Sequence, residues 1–493
     1  MATSEQNAIP PKDVMAAGAP RKPGTLRPSR VLTGKTARVI VLSALLMVIP
    51  LFIPAVAKKL ALKDQTYGAM LPSPRDLISF NGSTRHPGAG DMPGAGESEG
   101  GAPPAPVQNP TDKDIEDPSG SLAPFYASLA RTEAKQPGAI TRISHYGDSP
   151  ITNDVITGTV RHALQVQYGD SGHGFILIGR PWESYVHQSI SFSGSDWDND
   201  HLMAPKGGRG LFGFGGVSFT ANGPGKNVKY GPAPDGDTGK NFAHIDVYFL
   251  RQSNGGDFGV SVNGGDPQVV STQGADDESG FAEIKAPGPG ANTFEIRSGN
   301  GPIRLFGAVL ENDDPGVTYD SLGIIGAYAG LLATTMNEQH WAAQLQHRKP
   351  NLVIINYGTN ESQYASDEQM AVYDRNLREV IRRIRAAVPD AAILIMSPMD
   401  RGKRQGGQII THPAIPKIVA MQKNVALSTN CAFFNMYQAM GGDGTMARWY
   451  ASKPRLVSED LIHPSGAGGV IVGNLIYQAL ANGYAFYKQQ HPA

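Results

Sequence analysis

The chain carries a single cysteine, Cys431, in 493 residues. That excludes an intrachain disulfide and a zinc cluster built on several thiolates. An excess of charge is missing too: 43 Lys and Arg stand against 44 Asp and Glu, for a formal net charge of −1. Nucleic-acid binding needs a concentrated basic surface to displace counterions, so nucleic acid is not an expected partner. There is no phosphate-binding Gly-rich loop, no dinucleotide fingerprint and no zinc-protease histidine pair, and His201, His340 and His412 are scattered without metal-ligand spacing. Neither a metal nor an organic cofactor is expected. What is plentiful is glycine, 59 residues, and proline, 37. Such a composition suits turn-rich β structure with some unstructured linker.

Residues 39–57, "VIVLSALLMVIPLFIPAVA", contain no charge and are long enough to cross a bilayer as a helix. Ahead of them stand Lys12, Arg21, Lys22, Arg27, Arg30, Lys35 and Arg38, against Glu5 and Asp13. Positive charge on that side predicts a cytoplasmic tail over 1–38, an inner-membrane anchor over 39–57, and a periplasmic remainder in the cell envelope. Ala55, Val56 and Ala57 also fit a signal-peptidase site, in which case the remainder is secreted. The long basic arm favours the anchor, although Pro50 and Pro54 weaken a helix there. Residues 58–120, rich in Gly, Pro, Ser and Ala, read as a disordered tether.

From residue 121 the patterns are those of a folded head. "SLAPFYASLARTEAK" has helical spacing, "AITRISHYGDS" reads as a strand ending in a turn, and "NDVITGTVRHALQVQYG" as a helix capped by Asn153 or Asp154. Between 179 and 318 short alternating runs such as "HIDVYFLRQ" and "PIRLFGAVLE" predict an inserted β-sandwich or jelly roll. After 319 helices and buried strands alternate again: "AGLLATTMNEQHWAAQLQHRK" is predicted helical, "PNLVIINYGTN" and "AAILIMSPMD" as strands. The fold class expected is α/β: one three-layer domain over 121–178 and 319–493, a parallel sheet with helices on both faces, interrupted by an all-β module.

In an open parallel sheet ligands gather beyond the carboxyl ends of the strands. Four candidates fall there: Ser149 in "HYGDSP", Gly326 in "LGIIGAYAG", Asn360 in "NYGTNES", and the pair Asp460 and His463 in "EDLIHPSG". Gly323 and Gly330 are rival choices for the glycine. Each block alone is an ordinary turn composition. In this order they resemble the SGNH (GDSL) hydrolase family, over roughly residues 139–180 and 318–490. The resemblance implies that Ser149 is a nucleophile with His463 as its base and Asp460 orienting the imidazole. It also implies an oxyanion hole made of the Ser149 and Gly326 N–H groups and the Asn360 amide. His145 is a rival base that strand alternation turns away. Asp148 reads as a turn residue, with positioning of Ser149 the alternative. Arg401, Lys403 and Arg404 follow a buried strand, either as a solvated loop or as contacts for an anionic polymer.

Within that family the chain is most similar to bacterial peptidoglycan O-acetylesterases, in which a carbohydrate-binding-like β module interrupts an exported catalytic domain. "FFNMYQAMGGDG" and "MARWYASKPRLVSEDLIHPSGAGG" add to the likeness. The implied activity is removal of acetyl groups from an acetylated glycan, peptidoglycan first, through an acetyl-serine. Exopolysaccharide deacetylation, acetyl transfer, and a non-catalytic glycan-binding role are the rival readings. Trp182, Tyr185, Trp197, Phe212, Phe214 and Tyr230 are expected mainly in the module's core, with sugar stacking the alternative.

Overall fold

The computed structural model describes residues 114–492 except 207, 208, 235 and 289. The predicted tail 1–38, the span 39–57 and the tether up to 113 lie outside the described residues. Among the described residues no helix is long and apolar enough to cross a membrane. The chain runs through α1 (Ala123–Glu133), β1 (Ile140–Gly147), α2 (Val155–Tyr168) and β2 (Gly172–Leu177). Then come β3 (Ile190–Gly194), β4 (Asp198–His201), β5 (Val217–Ala221), β6 (Asn227–Pro232), β7 (His244–Arg251), β8 (Asp257–Val262), β9 (Gln268–Ser271), β10 (Glu278–Lys285), β11 (Phe294–Ser298) and β12 (Ile303–Glu311). Next are β13 (Gly316–Gly323), α3 (Glu338–Arg348), β14 (Leu352–Asn356), α4 (Asp367–Ala387), β15 (Ala392–Met396) and the hairpin β16 (Gly402–Gln405) and β17 (Gln408–Thr411). The last are α5 (Ala414–Ser428), β18 (Ala432–Phe434), α6 (Met436–Ala439), α7 (Thr445–Ala451) and α8 (Gly466–Gln490).

Five strands form one parallel sheet in the order β13-β1-β14-β15-β18. Period-2 geometry splits their apolar residues between two faces. Leu352 and Ile354 of β14 and Leu394 of β15 pack with α1, α2 and α8, whereas Val353, Ile355, Ile393 and Ile395 pack with α3, α4 and α5. Near-continuous apolar strands are what a sheet covered on both faces requires. The order reverses at β1, because β13 lies on one side of it and β14 on the other. A crevice opens at such a reversal, beyond the carboxyl ends of both strands.

Apart from the β16–β17 hairpin, the remaining strands make two antiparallel sheets, β10-β7-β12-β5-β4 with β2 beside β12, and β3-β6-β11-β8-β9. They face one another across a shared core: Phe249 of β7 meets Phe258 of β8 edge-on at 5.4 Å, and the Tyr230 hydroxyl donates to the Leu177 carbonyl at 3.0 Å. Five of the six aromatics singled out in the module are buried, Trp182 is half-buried against the same core, and so they offer no open stacking platform. The core of the sandwich continues into the α3–α5 face of the parallel sheet. Phe214 lies 5.7 Å from Tyr146 of β1, whose hydroxyl accepts from the Trp341 indole at 3.0 Å.

Several boundaries differ from the sequence reading. β2 lies within 121–178 yet pairs with β12 of the sandwich. Glu116, placed in the tether, pairs through its backbone with Phe433 on the edge strand β18. The helix predicted from Ala329 onward breaks: Leu331–Thr335 is a single wide turn, and α3 starts afresh where the Asn337 side chain accepts from the His340 N–H at 2.9 Å. An asparagine oxygen satisfies an orphan donor of a new first turn better than it serves mid-helix. At α2 the N-cap residue Asp154 sits at φ 56 and makes no side-chain cap; the Asn153 carboxamide accepts from Val155 N–H instead. The Asp154 carboxylate is taken by Arg161, at 2.6 Å, with both side chains buried.

A second buried guanidinium joins module and sheet. Arg348, at the end of α3 and 3% exposed, reaches Glu311 of β12 at 2.5 Å and Asp320 of β13 at 2.8 Å. Arg142 of β1 closes on Glu311 at 2.9 Å, while Asp320 also accepts from Ser144 and from the Phe175 N–H of β2, each at 2.8 Å. Burial pushes the Glu311 carboxyl up, but Arg348 and Arg142 outweigh it and hold its pKa at about 2. Removing one partner of such a group strands an uncompensated buried charge. Arg348→Met is expected to cost about 3–5 kcal/mol of stability near neutral pH, measured by denaturant unfolding. A loss below about 1 kcal/mol would show that the network carries little of the fold's stability.

Candidate active site

The turn after β1 is fixed by close backbone approach. Gly147 pairs in register with Gly323, the last residue of β13. A Cβ at Gly323 would lie 2.7 Å from Ile151 and 3.0 Å from the Asp148 carbonyl, so that position admits no side chain without moving the turn. Ser149 then opens a short 3-10 turn, Ser149–Ile151. As its first residue, Ser149 has an N–H with no acceptor inside the turn.

His463 comes from a different layer. It lies two residues before Ser465, whose hydroxyl caps α8 by accepting from Gly468 N–H. Backbone bonds from Ser458 N–H to the His463 carbonyl and from Ser465 N–H to the Leu456 carbonyl close the loop. Leu461, buried at its centre, is held at φ 62, a costly conformation for a residue with a branched side chain. The loop brings His463 Nε2 to 2.7 Å from Ser149 Oγ, and His463 Nδ1 to 2.6 Å from Asp460 Oδ2. Asp460 Oδ1 accepts from the Ile462 and His463 N–H groups at 2.9 and 3.1 Å. Burial raises the Asp460 pKa, but the His463 side chain and these two amides outweigh it, leaving the carboxyl below its ordinary value. A carboxylate so held fixes one imidazole nitrogen as N–H and leaves the other to take a proton from the serine.

On the other side of Ser149 the loops after β13, β14 and β15 are laced together. The Asn360 carboxamide donates to the Ala327 carbonyl at 2.9 Å, next to Gly326 at φ 75. Glu361 accepts from Gly358 N–H and Ala329 N–H, each at 3.0 Å. Arg401 donates to the Thr359 carbonyl at 3.0 Å and the Ser362 hydroxyl at 2.6 Å, and Asp148 accepts from Thr359. Gly330, one rival glycine, opens the wide turn beside Asn376 and borders the same cavity as Gly326 and Asn360. Gly326 and Asn360 border a cavity of about 760 Å3 that also touches Tyr328, Tyr364 and, from the β module, Met203.

Not every candidate converges. His145 is fully buried in the sheet, its Nδ1 2.9 Å from the Tyr319 hydroxyl, and burial pushes its pKa down to about 3. It is no base for Ser149. One guanidinium nitrogen of Arg401 serves the Thr359 loop, which ties this residue to the site rather than leaving it in a solvated loop. Glu361, Thr359 and Met203 were not singled out by sequence reasoning; "GTNES" does place an acid directly after Asn360, which was the available signal. Elsewhere Asp154, His173 and His187 bring ligand atoms within 4.8 Å of one another. Both Asp154 oxygens already bind the Arg161 guanidinium, so a cation would face a fixed positive charge.

The family model of GDSL-like lipases and acylhydrolases matches residues 272–469. No curated protein sequence matches the chain. Among solved structures, one described as a peptidoglycan O-acetylesterase superimposes with a TM-score of 0.63 at 22% identity, covering 75% of this chain and 99% of the other. An acetylxylan esterase from Geobacillus stearothermophilus gives 0.26 at 22% identity, over 34% and 73% of the two chains. A family two carbohydrate esterase from Clostridium thermocellum gives 0.25 at 13% identity, over 55% and 95%. Only the first of these likenesses is close enough to show a shared fold.

The two acids behind the serine predict a pH dependence. Burial, then the neighbouring Glu361, pushes Asp148 up to about 8 against its hydrogen bonds from Thr359, and loss of solvent pushes Glu361 up to about 7. An unfolded Asp titrates near ~4. The stability that protonated Asp148 confers is therefore full below ~4, declines as pH rises, and is gone above about 8. Asp148→Asn, which cannot ionise, is expected to flatten the fall in unfolding free energy between pH 5 and 8, in denaturant melts across that range. Equal slopes in the two proteins would place the proton elsewhere.

Proposed function

The chain belongs to the SGNH hydrolases, the GDSL-like lipase and acylhydrolase family, and from that premise we propose that it is an exported esterase removing O-acetyl groups from a cell-envelope polysaccharide, peptidoglycan first. The observation that carries this reading is the hydrogen-bonded line from Ser149 Oγ through His463 to Asp460, at 2.7 and 2.6 Å. Nucleophile, base and orienting carboxylate each stand within bonding distance of the next, which is the geometry acyl transfer to serine needs.

The mechanism follows from that line. Ser149 attacks the acetyl carbonyl as His463 Nε2 takes its proton. Negative charge gathers on the former carbonyl oxygen, and the Ser149 and Gly326 N–H groups and the second N–H of the Asn360 amide receive it. The first Asn360 N–H is spent on Ala327, which fixes where the second points. His463 then protonates the departing sugar oxygen, an acetyl-serine remains, and a water activated by His463 releases acetate. The His463 side chain is 40% exposed, so water reaches the base without a conformational change. This favours hydrolysis over transfer to a second sugar, since a transferase must keep water from its acyl-enzyme.

Support for a polymeric glycan comes from the cavity beside Asn360, where the exposed rings of Tyr328 and Tyr364 offer faces for sugar packing. Peptidoglycan is the substrate named for the structure with the shared fold. Support for an envelope location comes from the sequence, in which seven cations precede the uncharged run 39–57.

Ser149→Ala is expected to abolish acetate release from O-acetylated peptidoglycan and labelling by a fluorophosphonate probe. Activity at the wild-type level in that variant would rule the mechanism out. Asn360→Ala is expected to lower kcat by about 10²–10³ with little change in KM and with cooperative unfolding retained. An unchanged kcat would remove Asn360 from the oxyanion hole.

A further inference from the structure

The hairpin β16–β17 is fixed at its base to both halves of the site. Arg401, just before it, holds the Thr359 carbonyl at 3.0 Å. The next residue, Gly402, donates its N–H to the Leu461 carbonyl at 2.8 Å, inside the loop that carries Asp460 and His463. A Cβ at Gly402 would stand 2.8 Å from Leu461 Cβ, so the approach depends on glycine. From these anchors the strand carries Lys403 and Arg404 outward, both exposed.

A third cation joins them. The Arg404 guanidinium lies 5.0 Å from the centre of the Tyr450 ring, and the Arg455 guanidinium 4.1 Å from the same centre. Cation–π attraction holds each of them, but two guanidinium groups on one ring also repel. Local carboxylates offset only part of this charge. Glu459 meets Arg455 at 3.4 Å, Asp460 is committed to His463, and among the described residues no carboxylate pairs with Lys403 or Arg404. The chain as a whole is near charge balance, so this is a local concentration of charge rather than a general basicity.

We propose that Lys403, Arg404 and Arg455, gathered around Tyr450, form a subsite for carboxylate groups borne on the acetylated polymer. The proposal rests on the esterase reading and names the charge of its substrate: an acidic glycan, gripped beside the catalytic histidine while the acetyl-bearing sugar lies at Ser149. Guanidinium groups pair with carboxylates through two parallel hydrogen bonds, and Lys403 adds a point charge. Two sources present this chemistry, the free carboxylates of peptide-bearing peptidoglycan strands and those of uronic-acid polymers.

The test is a binding measurement on the full chain carrying Ser149→Ala, so that no acetate is released during it. The probes are soluble peptidoglycan strands and polygalacturonate, each with its carboxylates free and with them amidated. The subsite predicts that free-carboxylate probes bind more tightly, that added salt erodes the difference, and that Lys403→Gln with Arg404→Gln weakens it about tenfold. A response to only one polymer identifies the carboxylate source. Equal binding of free and amidated probes, or no effect of the double variant, overturns the subsite. In the Ser149 background the double variant should hydrolyse p-nitrophenyl acetate at the wild-type rate, and a loss there would also overturn it, by showing damage to the site itself. The two readings fail separately. Charge-dependent binding without acetate release from acetylated strands would remove the esterase reading alone, whereas acetate release at unchanged kcat/KM in the double variant would remove the subsite alone.

Discussion

Arg348 ends α3 with its guanidinium buried among carboxylates that come from both parts of the fold: Glu311 from the last module strand and Asp320 from the first sheet strand after it. Two positive and two negative groups, with Arg142 the fourth member, balance inside the protein. Such a cluster is stable only while every member is in place, because each unpaired ion would carry the full penalty of burial. Its geometric effect is to lock β12, β13, β1 and α3 in a single arrangement. Asp320 extends the lock to β2 through the Phe175 N–H. The inserted sandwich is therefore braced against the sheet, and Met203 from its β4 side can form part of the cavity wall beside Gly326 and Asn360.

What the brace leaves to be arranged is a set of loops at the strand ends. Their mutual positions depend on cross-links between neighbouring loops more than on the strands below. Asp148 and Arg401 grip Thr359 from two sides, while Asn360 and Glu361 each hold the loop after β13. Oxyanion stabilisation depends on donors that need no reorganisation as charge develops, and lacing of this kind supplies that rigidity. Part of it comes at an electrostatic cost. Burial, and then the neighbouring Glu361, make Asp148 hard to ionise, burial alone does the same to Glu361, and both are pushed well above the ordinary carboxylate range.

The parts of this structure that were legible in the sequence were those written locally. The unbroken apolar run in "PNLVIINYG" marks a buried strand, and the spacing of Asp460 and His463 on one tight loop puts carboxylate and imidazole within reach of each other. Ser149 and His463, 314 residues apart, met only through a likeness of ordered blocks. The invisible parts were those decided by tertiary pairing. Nothing near Arg348 in sequence announces Glu311 or Asp320, and Arg401 looked like a surface cation because its acceptors lie in another loop. β2 looked like part of the α/β segment because a short apolar run does not state which sheet it joins. Asn337 falls inside a long helical period although its residue type favours a cap, and there the local cap signal decides the structure over the periodicity.

The two halves of the site differ in how they meet solvent, and that difference bears on the kind of substrate they suit. The donor half is laced and partly buried, with a cavity opening toward α4, on one face of the sheet. The base half stands on the loop before α8, which packs on the opposite face, with His463 and Asp460 40% and 45% exposed. A small acyl group needs enclosure only around its carbonyl oxygen. A polymer that carries it needs room to pass on both sides without being threaded. An arrangement closed at the oxyanion and open at the base meets both demands of the proposed substrate, and the proposed carboxylate subsite on the basic hairpin lies on the open side.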